Sequence, residues 1–164
     1  MTRTDEQELE GRYFEDLPEG ATFRTSARTI GEAAVDTFAG VTGDFSYVHT
    51  DAAAASDTIF GERIAHGLLS LCVMQGLIWQ TRYTVDTGVA TLGWDRIRFP
   101  AAVRFGDTVH AEFTIREARE SRSRPDVGIV VEDCRLINQH GETVVTGDHV
   151  LMVRRRGHRP GAEG

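Results

Sequence analysis

The chain has 164 residues, of which 40% are hydrophobic and 26% are charged, and its formal net charge is −7. This length and composition are typical of one globular domain with a sizeable core. The acidic balance disfavours a nucleic-acid-binding surface, which is normally basic. The longest apolar run is shorter than the ~20 residues that span a bilayer, so no membrane-spanning helix is expected.

The two ends of the chain differ in composition from the rest. Residues 1–11 are polar and lack the apolar core of a signal peptide, so they predict a flexible N-terminal segment. Residues 155–164 are rich in arginine and predict a charged tail, which leaves a single domain over 12–154. Cys72 and Cys134 show no zinc-ligand spacing and lie in apolar runs, so both are predicted to be buried thiols. A cytoplasmic, reducing location is therefore expected.

The first third of the chain predicts one strand and two helices. A turn at 16–20 precedes a β-rich stretch at 22–30. The next stretch carries apolar residues at helical spacing, and Gly43 ends it. A short alanine-rich helix follows, with Thr50 as its expected N-cap. The apolar residues of the first helix are Ala34, Val35, Phe38 and Val41.

The rest of the chain predicts one long helix followed by strands. Residues 67–81 are apolar on nearly every side of a helix, which indicates a helix buried all round. Such a helix needs a second layer, and a curled antiparallel sheet can supply it. We therefore predict an α+β fold with a sheet wrapped around a long central helix, the hot dog arrangement. The expected later strands lie at 89–99, 108–115, 127–137 and 142–153.

Four segments carry a resemblance to a known family. They read FEDLPEGATFRTSARTI, FAGVTGDFSYVHTD, FGERIAHGLLS and VRFGDTV. In this order they resemble the MaoC-like dehydratases, the family that includes (R)-specific enoyl-CoA hydratases. The resemblance runs over about 13–153, which is nearly the whole chain.

The resemblance implies a set of site residues. The family's loop has Gly-Asp, a variable residue, Asn-Pro, an aliphatic residue and His, and residues 43–49 here read GDFSYVH. Asp44 and His49 match the catalytic pair, and Gly67 matches the glycine whose N–H forms the oxyanion hole. Ser46 and Tyr47 replace Asn-Pro, and we expect them to order the loop or to contact substrate. His66 is expected to contact substrate or to orient the loop. A metal site made by Asp44, His49 and His66 is conceivable, but these three residues show no familiar metal-ligand spacing, so no metal is expected.

The implied reaction adds water reversibly to a trans-2-enoyl thioester and gives an (R)-3-hydroxyacyl thioester. An Asp and a His that hold one water can share the two proton transfers. A helix-terminal N–H can stabilise the negative charge that gathers on the thioester oxygen. The substrate is carried as a thioester of coenzyme A or of a carrier protein, and no other cofactor is expected.

Other readings of these residues stay open. A Gly-Asp pair is a common turn, and a lone loop histidine is usually solvated. A hot dog acyl-CoA thioesterase has the same fold, and a non-catalytic subunit that binds acyl thioesters is a further alternative. The remaining histidines are expected to be structural or solvated, namely His110, His140, His149 and His158.

The sequence also predicts self-association, because the expected sheet has unpaired edges. A single sheet has free edges, and unpaired edges invite pairing with another chain. The resemblance implies that two sheets join side by side with the sites near the subunit boundary. At least a homodimer is expected, with no nucleic-acid or membrane partner.

Overall fold

The computed structural model describes residues 11–157, which form a five-stranded antiparallel sheet and four α-helices. A short 3-10 turn at Phe14–Asp16 precedes them. Within this described part of the chain, no helix is long and apolar enough to cross a membrane. The helices are α1 (Glu32–Thr42), α2 (Tyr47–Thr50), α3 (Ala52–Ser56) and α4 (Gly67–Gln80), and the strands are β1 (Thr22–Thr29), β2 (Gly88–Arg98), β3 (Thr108–Glu120), β4 (Val127–Ile137) and β5 (Thr143–Arg154).

The strands are arranged in the order β1-β3-β4-β5-β2, so β1 and β2 form the two edges. Strands β3, β4 and β5 pair in chain order, as expected for antiparallel neighbours with short connections. Strand β2 follows α4 along the chain but pairs with β5, with Gly88 opposite Val153 and Arg98 opposite Thr146. This arrangement confirms the predicted antiparallel sheet around a long helix.

The core lies between α4 and one face of the sheet. Alternate residues of β3 are buried, as the alternating sequence predicts, and Phe113 is 1% exposed. From the helix, Met74, Leu77 and Ile78 pack into the same cluster and are at most 2% exposed. This packing fixes α4 across the sheet and thereby fixes the position of its first residue.

Helix α4 is buried on one side only, which corrects the expectation of burial all round. Leu68 is 58% exposed and Trp79 is 59% exposed. Cys72 lies between them on the same side of the helix and is exposed too, so its predicted burial is wrong. The five strands of one chain cover only the opposite side. Cys134 is fully buried as predicted, and burial raises the pKa of its thiol.

The described domain extends slightly beyond the predicted boundaries of 12 and 154. Gly11 is buried, and a Cβ at this position would lie 1.8 Å from the carbonyl oxygen of Val85, so only glycine allows this close approach. Arg155 donates its backbone N–H to the Asp126 carbonyl at 2.9 Å, and its side chain pairs with Glu15. Gly11 and Arg155 therefore belong to the packed domain, whereas 1–10 and 158–164 lie outside the described residues.

Two local signals set the course of the chain before α4. Gly43 ends α1 with a φ of 76°, a left-handed conformation that glycine adopts easily. Asp51 is the N-cap of α3, since its carboxylate accepts hydrogen bonds from the N–H groups of Ala53 and Ala54, both at 3.0 Å. The expected N-cap, Thr50, is instead the last residue of the single turn α2.

Candidate active site

The loop between α1 and α2 carries Asp44. Its Oδ1 accepts a hydrogen bond from the backbone N–H of Ser46 at 3.2 Å, which is the usual way an aspartate orders a turn. The Asp44 side chain is nevertheless exposed. The other carboxylate oxygen and the remaining lone pairs are therefore available for another group, such as a water molecule.

His49 lies on the single turn α2 and is held by the segment that precedes α4. Its Nδ1 is 2.8 Å from the carbonyl oxygen of Ile64, and the Ile64 N–H donates to the Val48 carbonyl at 3.0 Å. A carbonyl oxygen only accepts, so Nδ1 carries the proton of this hydrogen bond. In the neutral ring, Nε2 then has a free lone pair and can act as a base.

His66 joins the loop to the start of α4. It is 2% exposed, and its ring packs between Phe38 and His49, with ring centroids 5.0 Å and 3.8 Å away. Its Nε2 donates to the backbone carbonyl of Asp44 at 2.9 Å. The Nδ1 atom is buried without a hydrogen-bond partner among residues 11–157. The loop-orienting hydrogen bond considered for His66 is therefore present.

Gly67 is the first residue of α4 and lies beside a cavity of about 270 Å³. N–H groups in the first turn of a helix have no intrahelical acceptor, and the helix dipole adds positive potential there. His49, Ser70 and Phe99 also line this cavity. A Cβ on residue 67 would lie 3.2 Å from the Phe99 ring, so a side chain at this position would crowd the wall of the cavity.

Ser46 and Tyr47 lie outside the lining of this cavity. Ser46 is the residue before α2, and its carbonyl accepts hydrogen bonds from the His49 N–H at 2.9 Å and the Thr50 hydroxyl at 3.2 Å. Tyr47 is 56% exposed. In the single chain, Ser46 orders the loop through its backbone, and the expected substrate contact of Tyr47 stays a prediction.

The three polar side chains lie close enough to share one small ligand. Asp44, His49 and His66 each bring a carboxylate oxygen or ring nitrogen within 4.8 Å of the others. Two imidazoles and a carboxylate are a ligand set that Zn²⁺ accepts, so these residues could hold a metal ion. The expectation that none is needed stays a prediction. Together with the Gly67 N–H, the same groups can also bind a water and a carbonyl oxygen side by side.

Sequence reasoning missed the far wall of the cavity. Phe99 and residues 100–103 provide it, and Phe99 is 46% exposed. The aromatic-proline pair at the end of a predicted strand was the available signal. This signal did not reveal that the end of β2 lies against the start of α4, because Phe99 and Gly67 are 32 residues apart in sequence.

The other described histidines lie away from this site. His110 lies on β3 and His140 in an exposed turn. His149 is 3% exposed, and its Nδ1 is 2.9 Å from the carboxylate of Glu132, which is fully buried. Burial raises the pKa of Glu132, and the hydrogen bond with His149 opposes this rise. His158 lies outside the described residues.

The sequence matches the MaoC like domain family over residues 15–133. It is 32% identical over 154 residues to the (R)-specific enoyl-CoA hydratase of Rhodospirillum rubrum, covering 88% of this chain and 94% of that protein. It is 35% identical over 117 residues to Protein MaoC of Klebsiella aerogenes, covering 69% of this chain and 33% of that protein. The chain therefore belongs to the MaoC-like domain family, and it spans a third of the length of that longer relative.

Solved structures agree with this assignment. A monoamine oxidase regulatory protein from Archaeoglobus fulgius superposes with a TM-score of 0.84 at 33% identity, over 89% of this chain and 96% of that one. A Mycobacterium tuberculosis protein described as having a double hotdog fold gives a TM-score of 0.76 at 20% identity, over 92% of this chain and 47% of that one. The fold is thus the predicted hot dog fold.

Proposed function

We propose that this chain is a hydro-lyase that adds water reversibly to a trans-2-enoyl thioester and gives the (R)-3-hydroxyacyl thioester. The observation that carries the proposal is that His49 lies within 4.8 Å of the Asp44 carboxylate and lines one cavity together with Gly67, the first residue of α4. The R configuration and the thioester come from the names of its relatives, one of which is an (R)-specific enoyl-CoA hydratase.

The geometry suits one shared water. Hydrogen bonds between oxygen and nitrogen or oxygen atoms reach about 2.8 Å, so two groups within 4.8 Å of each other can both hold one water molecule. His49 Nε2 can accept a proton from that water as its oxygen attacks the β-carbon. Asp44 holds the same water, and the pair delivers one proton to the α-carbon. The proton taken from the water is thereby balanced by the proton given to carbon, and Asp44 and His49 end in their starting protonation states.

The start of α4 supplies the electrostatic part of the mechanism. Attack at the β-carbon moves negative charge to the thioester oxygen. An N–H donor at Gly67 can stabilise this charge, and losing such a donor typically slows a reaction by about 100- to 1000-fold. In reverse, the same groups remove water from the 3-hydroxyacyl thioester.

Two alternatives remain, a thioesterase and a non-catalytic subunit. Water held between Asp44 and His49 can in principle attack a carbonyl, which is hydrolysis. Water enriched in heavy oxygen distinguishes these outcomes by mass spectrometry of the products. The proposal predicts the label in the new hydroxyl group with the thioester intact. Label in a released carboxylate would indicate a thioesterase, and no incorporation would indicate a binding subunit.

We also propose that two copies associate along β2. This strand is a sheet edge, and exposed apolar side chains lie on α4, on β2 and directly after β2. Trp79 of α4 and Val89 of β2 line one shared groove. An uncovered apolar face beside an open edge favours pairing with another copy. Light scattering should give a mass of at least twice 18.1 kDa, and a monomer mass at all concentrations would contradict the proposal. The apolar side chains are Leu68, Trp79, Val89, Leu92 and Phe99.

The exposed thiol of Cys72 suits the cytoplasmic location that we propose, because free exposed thiols persist in reducing compartments. The acyl carrier is coenzyme A or a carrier protein in this proposal. No further cofactor is needed for the proton transfers described above.

A further inference from the structure

The peptide group that joins His66 to Gly67 lies at the start of α4. Its N–H, on Gly67, is the oxyanion donor of the proposed function, and its carbonyl oxygen belongs to His66. The two atoms are parts of one planar, conjugated group, so a contact that fixes the carbonyl also fixes the direction of the N–H. In this trans peptide they point in opposite directions, so a donor on the carbonyl side leaves the N–H side free for a ligand.

Ser70 donates two hydrogen bonds to this carbonyl. Its backbone N–H donates to the His66 oxygen at 3.1 Å, which is the first hydrogen bond of the helix. Its hydroxyl donates to the same oxygen at 3.2 Å. A carbonyl oxygen has two lone pairs and can accept both. The hydroxyl therefore adds a second donor where a helix supplies only one.

The Ser70 hydroxyl lies on an otherwise apolar side of the helix. Ser70 is 3% exposed, and the other buried residues of α4 are leucine, isoleucine, valine or methionine. Serine hydroxyls often donate to the carbonyl four residues earlier in a helix, so this bond alone does not indicate a role. On a buried helix side, however, alanine would fit the same position with better helix propensity. The hydroxyl is better explained by its effect on the peptide group that it contacts.

Ser70 also lines the cavity of the candidate active site, together with Gly67 and His49. Hydrogen bonds that form a chain polarise one another, and they do so more strongly away from bulk water. A donor on the His66 oxygen withdraws electron density from the peptide group. The Gly67 N–H thereby becomes a stronger donor to an oxygen in the cavity.

The same bonds hold His66 at two points. Its ring donates from Nε2 to the Asp44 carbonyl at 2.9 Å, and its own carbonyl accepts from the Ser70 hydroxyl at 3.2 Å. These contacts run from the loop that carries Asp44, through His66, to the first turn of α4. They fix the Gly67 N–H relative to the residue proposed to hold the water.

We propose that Ser70 is a positioning residue for the oxyanion donor, because its hydroxyl holds and polarises the peptide group between His66 and Gly67. Ser70 acts through Gly67 and does not itself contact the thioester. The inference rests on the proposed function, since that function brings a thioester oxygen to the Gly67 N–H.

Removing the hydroxyl should slow the chemical step without weakening substrate binding. Linked hydrogen bonds strengthen one another by about 10–30%, and an oxyanion donor contributes about 100- to 1000-fold in rate. Ser70→Ala should therefore lower kcat by about two- to eightfold and leave KM nearly unchanged. Ser70→Thr retains a hydroxyl and should retain the wild-type kcat. Steady-state hydration of crotonyl-CoA, or of a longer trans-2-enoyl thioester that the wild type accepts, measures both parameters.

A spectroscopic measurement reports on the oxyanion donor directly. The Asp44→Asn protein, which should not turn over, is saturated with the same enoyl thioester labelled with carbon-13 at its carbonyl. Infrared difference spectra then give the stretching frequency of the bound carbonyl, which a hydrogen bond to its oxygen lowers below the value of the free thioester. Adding Ser70→Ala should move the frequency part of the way back, whereas adding Ser70→Thr should not.

Thr37→Ala is the matched control. Thr37 is exposed on α1, and its hydroxyl donates to the Ala33 carbonyl four residues earlier at 2.7 Å, so this variant removes the same type of hydrogen bond outside the cavity lining. It should change neither kcat nor the carbonyl frequency. Ser70→Cys keeps the side-chain size with a weaker donor and should give intermediate values, so the test does not depend on the stability of Ser70→Ala. Circular dichroism and the Tm establish that each variant is folded.

Two results would overturn the inference. One is a Ser70→Ala protein with the kcat and the bound carbonyl frequency of its parent. The other is a loss of activity that Ser70→Thr shares or that appears in KM alone, since this assigns Ser70 to packing or to direct substrate contact. The proposed function fails separately, if the wild type hydrates no enoyl thioester. Wild-type hydration with a carbonyl frequency that ignores Ser70 would defeat the inference alone.

Discussion

His66 donates a hydrogen bond from Nε2 to the backbone carbonyl of Asp44, 2.9 Å away, across 22 residues of sequence. The same ring stacks on His49 at a centroid distance of 3.8 Å. A single buried side chain at the start of α4 therefore contacts both residues proposed for proton transfer. We therefore propose that His66 is a positioning residue.

Replacing His66 tests that positioning role. We expect His66→Phe, which keeps a ring but loses the donor, to fold and to lower kcat by about 10- to 100-fold, because small misplacements of reacting groups are costly. The KM should change little, since His66 does not line the cavity. His66→Gln retains an N–H donor and should recover part of the rate. Equal losses in both variants would assign the effect to packing alone.

The proposed acid–base pair should behave as one unit. Asp44→Asn and His49→Gln nearly preserve side-chain size and should each lower kcat by at least about 100-fold. The double variant should be scarcely worse than either single one, because each change disables the same water. Steady-state rates and circular dichroism of all three variants provide the measurement. Near-native rates in both single variants would disprove the assignment.

Adding one methyl group at Gly67 should separate activity from stability. In Gly67→Ala the new Cβ lies 3.2 Å from the Phe99 ring and narrows access to the N–H, so we expect a fall in kcat/KM of at least about tenfold. Gly76→Ala, on the same helix, has no atom within 4 Å of its new Cβ. It should keep its activity and gain up to about 1 kcal/mol of stability. A fully active Gly67→Ala would argue against the oxyanion role.

The buried Glu132 should make stability depend on pH. Burial raises its pKa in the folded protein above the usual value of 4.5, so the folded state binds more protons than the unfolded state as pH rises from 4.5 towards the raised pKa. The free energy of unfolding should therefore fall with pH in this window. Glu132→Gln removes that loss. Urea unfolding across this range should show the variant gaining stability relative to wild type as pH increases, and a constant difference would contradict the raised pKa.

Much of the fold follows from sequence periodicity. The alternation of Val109, Ala111, Phe113 and Ile115 predicts one buried face of β3, and that face is buried. The length and apolar composition of α4 predict its central place. The exposure of Cys72 could not be predicted, because apolar composition does not specify how much of a helix one sheet can cover. The edge position of β2 was equally hidden, since strand order depends on long-range pairing with β5.

The candidate site could be predicted only as far as its motif extends. A family pattern marks four residues within one stretch of 24, from 44 to 67. They are Asp44, His49, His66 and Gly67. Contacts made by long-range strand pairing carry no such pattern. The hydrogen bond between Thr91 on the edge strand and His149 on the last strand depends on the register of β2 against β5.

The most direct measurement follows crotonyl-CoA through two signals at once. The absorbance of the conjugated enoyl thioester reports addition of water to the β-carbon, and a thiol reagent reports cleavage of the thioester. Longer trans-2-enoyl thioesters are used if crotonyl-CoA is not accepted. The proposed function predicts loss of conjugation without thiol release, and it predicts that Asp44→Asn abolishes this loss. Thiol release at the rate of substrate loss, or no reaction with any enoyl thioester, would contradict it.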